Sequence, residues 1–230
     1  MSKKANYSYI GISFIILLFG ILFIPKIINR ISNKEIVDQD RHNLERMGDK
    51  SPSDLVTIGA VPDFNFINQD SVHVSNAFYK GKVYVAEFFF TTCPSICPIM
   101  NQNMGVIEKQ FIKENDFGIA SFTIDPAVDT PKVLRDYATL YEMSHPNWEL
   151  LTGEKEAIYE LANKGFNLYV GEAPEVEGGF EHSGYFALID KKGNIRSRID
   201  ENGNPIIYYD GLEESQINWI KEDIKLLLKE

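Results

Sequence analysis

Apolar positions along the chain change their spacing several times, and each spacing predicts a different element. Between Lys4 and Lys26 no residue is charged, and Ile10–Ile24 is large and apolar apart from Gly11, Ser13 and Gly20. With Ala5–Tyr9 added, this stretch is long enough to cross a hydrocarbon layer of ~30 Å as a helix, which takes ~20 residues. Tyr7 and Tyr9 suit the headgroup level. Residues 29–55 are polar and lack a sustained apolar period, the pattern of a stalk, with some helical spacing around Ile31–Met47. From Val56 to Gly81, strand-like runs are punctuated by turn signals at Pro62-Asp63 and Lys80-Gly81. Val83–Phe90 (VYVAEFFF) is nearly continuous and β-rich, which predicts a strand buried on both faces; Glu87 inside it requires a partner. Phe117–Ile124 (FGIASFTI) predicts a second central strand.

Helical spacing covers Pro98–Glu114, and Thr130-Pro131 supplies the cap and first position of a helix running to about Met143. Trp148–Leu151 reads as a short strand, and Glu154–Lys164 as a helix closed by Gly165. Tyr185–Asp190 and Ile195–Asp200 flank Lys191-Lys192-Gly193-Asn194, a hairpin signature. Glu201–Pro205 is a second turn and Glu213–Lys229 an amphipathic closing helix. This α/β order, with its terminal hairpin and helix, suits a thioredoxin-like fold: a mixed central sheet flanked by helices. The expected organisation is a membrane anchor over 1–28, a stalk over 29–55 and one domain over 56–230.

Charge sharpens this picture. The chain is 44% apolar and 12% aromatic, enough for a core without metal or disulfide staples. Its net charge of −10 is uneven: residues 1–34 hold five basic side chains and no acidic one, while the remainder holds 18 basic against 33 acidic. A body that acidic repels nucleic acid but not a cation. For the N-terminal run, a cleaved signal peptide is the rival reading, with Lys3 and Lys4 as its basic region. Phe23-Ile24-Pro25-Lys26-Ile27-Ile28 offers no small-residue cleavage site, which favours an uncleaved anchor. No cysteine follows the run, against a lipoprotein. Basic residues flank it on both sides, so the positive-inside count leaves its orientation undecided.

The chain has two cysteines, four residues apart in Thr91-Thr92-Cys93-Pro94-Ser95-Ile96-Cys97-Pro98. Bridging such neighbours closes a tiny loop and constrains little, so metal or redox chemistry is the better reading of the pair. The loop lies between a buried strand and a helix, where ligand sites of open α/β sheets collect. Pro98 suits the first helical position, which puts Cys97 at the helix mouth and Cys93 in the loop before it. A helix N-terminus favours negative charge, so at least one thiol should ionise easily. Thiolates are soft ligands for Cu(I) or zinc. The spacing C-x-x-x-C is one residue longer than the commoner disulfide-exchange motif, and by itself leaves metal and redox roles open.

The stretch FFFTTCPSICPIM resembles the signature of the Sco/SenC family, copper-handling proteins of cytochrome c oxidase maturation. Two further segments agree in order: Asp125-Pro126 with Asp129-Thr130-Pro131, and Glu181-His182-Ser183 before the strand Tyr185–Asp190. The resemblance runs from about Val56 to the C-terminus. It implies a thioredoxin-like domain on the extracytoplasmic side of the cytoplasmic membrane, held by a single-pass helix. It also implies a copper ion, Cu(I) or Cu(II), on Cys93, Cys97 and His182. The implied partners are the copper-bearing subunit of the oxidase and other copper or thiol donors.

Of the four histidines, His42 falls in the stalk and His145 follows a helix end, both expected to be solvated; His73 suits a structural role. By its residues alone His182, beside Gly178-Gly179, is either a ligand or a hydrogen-bonded loop histidine. Met100 and Met104 have helical spacing and read as packing. Asp125 ends a central strand and either sits beside a ligand, orienting it or handling protons, or caps the turn made with Pro126. Asp129 and Thr130 read as turn and cap residues.

Three functions compete. A metallochaperone would hold copper on two thiolates and an imidazole and release it by ligand exchange, without covalent catalysis. A thiol-disulfide oxidoreductase would use Cys93 and Cys97 as a redox-active disulfide; both roles could combine if the protein reduces its target's cysteines before loading them. A peroxiredoxin-like peroxidase, suggested by Thr91-Thr92-Cys93-Pro94, requires an arginine at the thiolate, and nothing positions Arg135, Arg196 or Arg198 there.

Overall fold

The computed structural model describes residues 8–32, 55–176 and 178–230, in two compact units, Met1–Lys50 and Ser51–Glu230. The first unit holds helix α1 (Ser8–Ser32), which runs past the expected end of the anchor. Its side chains are described over 12–25, ~21 Å of helical rise. Among the described residues no helix is long and apolar enough to cross a membrane. Most of the expected stalk, including His42, lies outside the described residues.

The second unit is built on a sheet of strands β1 (Val56–Ala60), β2 (Asn65–Asn68), β3 (His73–Ser75), β4 (Val83–Phe89), β5 (Phe117–Thr123) and β6 (Trp148–Thr152). A two-stranded hairpin, β7 (Val170–Glu172) and β8 (Phe180–His182), stands apart from it. The main sheet is completed by β9 (Tyr185–Ile189), β10 (Asn194–Ser197) and β11 (Tyr209–Asp210). Their order is β1-β10-β9-β4-β5-β6-β2-β3, with β11 also pairing β9. Strands β4, β5 and β6 are parallel, and β9 joins β4 antiparallel. The helices are α2 (Asn76–Tyr79), α3 (Cys97–Phe111), α4 (Pro131–Leu140), α5 (Lys155–Glu160) and α6 (Glu214–Lys229).

The continuous apolar runs become the centre of the sheet, as their pattern requires: every residue of β4 and β5 is buried. Phe88 stacks on Phe122 across the pair at 5.3 Å between ring centroids. Glu87, fully buried in β4, accepts a hydrogen bond from Ser121 Oγ at 2.7 Å, and its other oxygen has no partner. Burial pushes its carboxyl up to about 7, against the lowering effect of the Ser121 bond.

Local signals hold where they are self-contained. Thr130 Oγ1 accepts from the Val133 N–H and Pro131 opens α4. At the β9–β10 turn, Asp190 Oδ1 accepts from the Lys192 and Asn194 N–H groups, and Gly193 supplies a φ of 83°. In α6, Ile217, Ile220, Ile224 and Leu227 form the buried face. Three expectations need correction. The helix expected to close at Gly165 passes into a wider π-turn, Leu161–Phe166, and left-handed Asn167 (φ 51°) ends it. Gly165 serves packing instead, since a Cβ there would lie 2.8 Å from Pro62 Cγ. The helix after the cysteines stops at Phe111 rather than at 114. His145 is buried rather than solvated, because the turn after α4 folds it onto the end of α3. Glu108 Oε1 accepts from its N–H at 2.6 Å and the Phe111 carbonyl lies 3.2 Å from its Nε2.

Candidate metal centre

Strand β4 delivers the chain to the sheet's carboxyl end, and α3 begins four residues beyond Cys93, with Cys97 itself as its first residue. Pro98 follows in that first turn, where a missing N–H breaks no helical hydrogen bond. The Cys97 N–H donates to Cys93 Sγ at 3.4 Å, and the Cys93 N–H to the Phe90 carbonyl at 3.3 Å. Both thiols are free and buried.

The hairpin β7–β8 brings His182 over this loop. Its turn contains Gly178 (φ 95°) and Gly179 (φ 78°), conformations that cost a side-chain-bearing residue dearly. A Cβ on Gly178 would lie 2.9 Å from Pro94 Cδ and 3.2 Å from the Phe90 ring, so glycine permits the two loops to touch. The Phe90 ring meets the His182 imidazole edge-on at 5.8 Å and packs on Phe180 at 5.2 Å. His182 Nδ1 stands 3.2 Å from the Ser183 carbonyl, and Nε2 stands 3.1 Å from Cys97 Sγ. With Nδ1–H donated to that carbonyl, Nε2 keeps its lone pair toward the sulfurs.

Cys93 Sγ, Cys97 Sγ and a His182 ring nitrogen all lie within 4.8 Å of one another, the one such cluster among the described residues. Donors at ~2.0–2.3 Å around a three-coordinate ion stand ~3.8 Å apart, so the trio needs little movement to enclose one. The thiols differ sharply in acidity. The nearby Cys97 side chain, with smaller help from His182 and the Ser95 and Cys97 backbone, pulls Cys93 down to about 3 despite burial. The neighbouring Cys93 side chain, then burial, pushes Cys97 well above the ordinary thiol value. The first thiolate therefore sits on Cys93, in front of the helix mouth.

Asp125 closes the turn after β5 with its backbone: its carbonyl accepts from the Val128 and Asp129 N–H groups at 3.1 and 2.9 Å. Among the described residues its carboxylate makes no hydrogen bond to Cys93, Cys97 or His182. Asp129 is the acid that braces the loop. Fully buried, it accepts from the Thr91 N–H at 3.1 Å and from the Thr91 and Thr123 hydroxyls. Burial raises its pKa, while the threonines oppose the rise. Turn chemistry explained Asp129 well enough in sequence to hide this role; the signal was its place in the family-like Asp-Thr-Pro element. Met100 and Met104 are buried in the core, and His73 is exposed beside Asn65 at 3.2 Å. The arginines that a peroxidase would need are engaged elsewhere: Arg135 with Asp70, Arg196 with Asp190 and Glu230, Arg198 with Glu222 and Asp223.

A family model described as SCO1/SenC matches residues 56–215. The chain belongs to the SCO1/SenC family. Its mixed α/β unit has the thioredoxin-like Sco fold. The SCO1 protein homolog of Bacillus subtilis (strain 168) is 36% identical over 167 residues, covering 72% of this chain and 81% of that one. The structure of BsSco, described as a member of the Sco family of cytochrome c oxidase assembly proteins with a disulfide switch, is 34% identical. It matches with TM-score 0.63 over 76% of this chain and 96% of its own. Yeast Sco1 with copper bound matches at 25% identity and TM-score 0.55, over 73% of this chain and 89% of its own.

Proposed function

We propose that this protein is a membrane-anchored copper metallochaperone that loads the copper site of cytochrome c oxidase, with Cys93, Cys97 and His182 as the copper ligands. The observation that carries this reading is the convergence of two sulfurs and one imidazole nitrogen within 4.8 Å. Two thiolates and one imidazole make a soft, low-coordinate site suited to Cu(I), and able to pass the ion on by ligand exchange. Support comes from the copper-bound yeast relative and from the oxidase-assembly description of BsSco. Residues 1–28 serve as the anchor in the cytoplasmic membrane, with the domain on the extracytoplasmic side. Asp129 braces the loop that carries the ligands through its bonds to Thr91.

The easily ionised Cys93 supports a second, compatible role as reductant of the target's cysteines. Its thiolate attacks a target disulfide, Cys97 displaces the mixed disulfide, and the two thiols of this chain end as a disulfide while the target gains two thiols. The disulfide switch described for BsSco favours this addition.

Titration of the reduced protein with Cu(I) against a chromophoric chelator tests the ligand assignment. One equivalent binds the wild type. Cys93→Ser and Cys97→Ser each weaken binding by at least about 100-fold, and His182→Ala by about 10–100-fold. Wild-type affinity in Cys93→Ser and His182→Ala would overturn the assignment.

A further inference from the structure

Four loops close over the cysteine–histidine cluster and form one pole of the domain. Gly178 abuts Pro94 and Phe90, and Gly184 abuts Leu212 and Ile96. The Gly211 N–H donates to the Gly184 carbonyl at 2.8 Å, and Asp129 holds Thr91. The segments concerned are 90–99, 124–130, 171–184 and 205–216. Their described residues include eight acidic ones and no lysine or arginine, although 18 basic residues lie beyond position 34. Glu175, Glu181, Glu213 and Glu214 are exposed there, while Lys155 reaches in from α5 to pair with Glu172.

Within this acidic fringe, large apolar side chains face solvent: Ile99, Val176, Tyr185 and Leu212 are 37–48% exposed. A groove of ≈520 Å³ is lined by Tyr169, Ser183, Tyr185, Ile207 and Asp210 among others. Ser183 is also the residue whose carbonyl holds His182. Ile207 keeps φ at 66°, a costly conformation for a β-branched residue, with its side chain 42% exposed beside the groove.

The geometry points to a docking face for a protein whose own surface is apolar at its centre and basic at its rim. The proposal rests on the copper-delivery reading, since Cys97 is fully buried and His182 only 9% exposed. A partner's ligands reach that cluster only by pressing onto the collar around it. A free cation has no use for exposed apolar area, and anionic lipid, nucleic acid and a second copy of this face are all repelled by its charge. The exposed glutamates steer the partner's basic rim, and the collar and groove supply the contact area.

The test follows copper transfer by stopped flow from the Cu(I)-loaded full chain, in detergent, to the soluble copper-bearing domain of the oxidase subunit. Transfer slows as ionic strength rises. At low ionic strength Glu175→Lys and Glu213→Lys each slow it on the order of fivefold. Glu114→Lys, past the far end of α3, changes it less than about twofold. Cu(I) affinity measured in parallel separates lost docking from lost binding. Equal slowing by all three reversals, or none by any, overturns the docking face and leaves copper delivery standing. A wild type that holds copper but never loads the oxidase domain overturns both, before any substitution is made.

Discussion

Glu87 makes the folding stability of this domain depend on pH in a way that one substitution isolates. Its carboxyl has an ordinary value of 4.5 and titrates at about 7 in the fold, because burial disfavours the charge. Below 4.5 both states hold the proton and nothing is lost. Between 4.5 and 7 the folded state keeps a proton that the unfolded state has released, so stability falls as pH rises. Above 7 the full cost stands, ~3 kcal/mol for a gap of this size. The structure agrees with the sign: one oxygen has a single neutral donor, Ser121, and the other has none. Glu87→Gln removes the charge and retains the shape. Urea unfolding of the reduced unit Ser51–Glu230, wild type and variant, from pH 4.5 to 8.5 gives the difference curve. Other titrating groups cancel in it. The variant should gain on the wild type by ~3 kcal/mol across that range, mostly before pH 7. A difference constant within about 0.5 kcal/mol would refute the argument, and would mean that Glu87 carries its charge in both states.

Two further outcomes follow from the loop. Asp129→Ala strands the half-buried Thr91 N–H and the buried Thr123 hydroxyl and should destabilise the domain by ~2–4 kcal/mol, weakening Cu(I) binding on the order of tenfold, with Asp129→Asn much milder; calorimetry and chelator competition measure both. In the reduced, metal-free protein, iodoacetamide should label Cys93 at a rate nearly flat from pH 5 to 8, because its thiol is already ionised. Cys97 should stay unlabelled until the domain unfolds, and mass spectrometry of the digest distinguishes the two.

Elements governed by near neighbours were legible before any coordinate. The all-apolar runs of β4 and β5 left no outlet but a doubly covered strand, and Thr130-Pro131 announced the start of α4 through bonds spanning three residues. The cysteine pair at a helix mouth was equally readable, because strand, loop and helix follow one another within 90–99. His182 was different. Its residues alone left its role open, since 85 positions separate it from Cys97. Only its family-like surroundings pointed toward the sulfurs.

The chain's own pattern determined which segments are buried, where helices start, and that two thiols share a helix mouth, because each rests on spacing within a few residues. Tertiary structure alone decided that Asp129 rather than Asp125 grips the loop, that His145 is buried, and that Asn167 rather than Gly165 ends its helix. Each of these turns on a partner distant in sequence: Thr91 for Asp129, Phe111 for His145, Pro62 for Gly165. The meeting of His182 with the sulfurs is of the same kind, set by the packing of a glycine turn on Pro94 and Phe90.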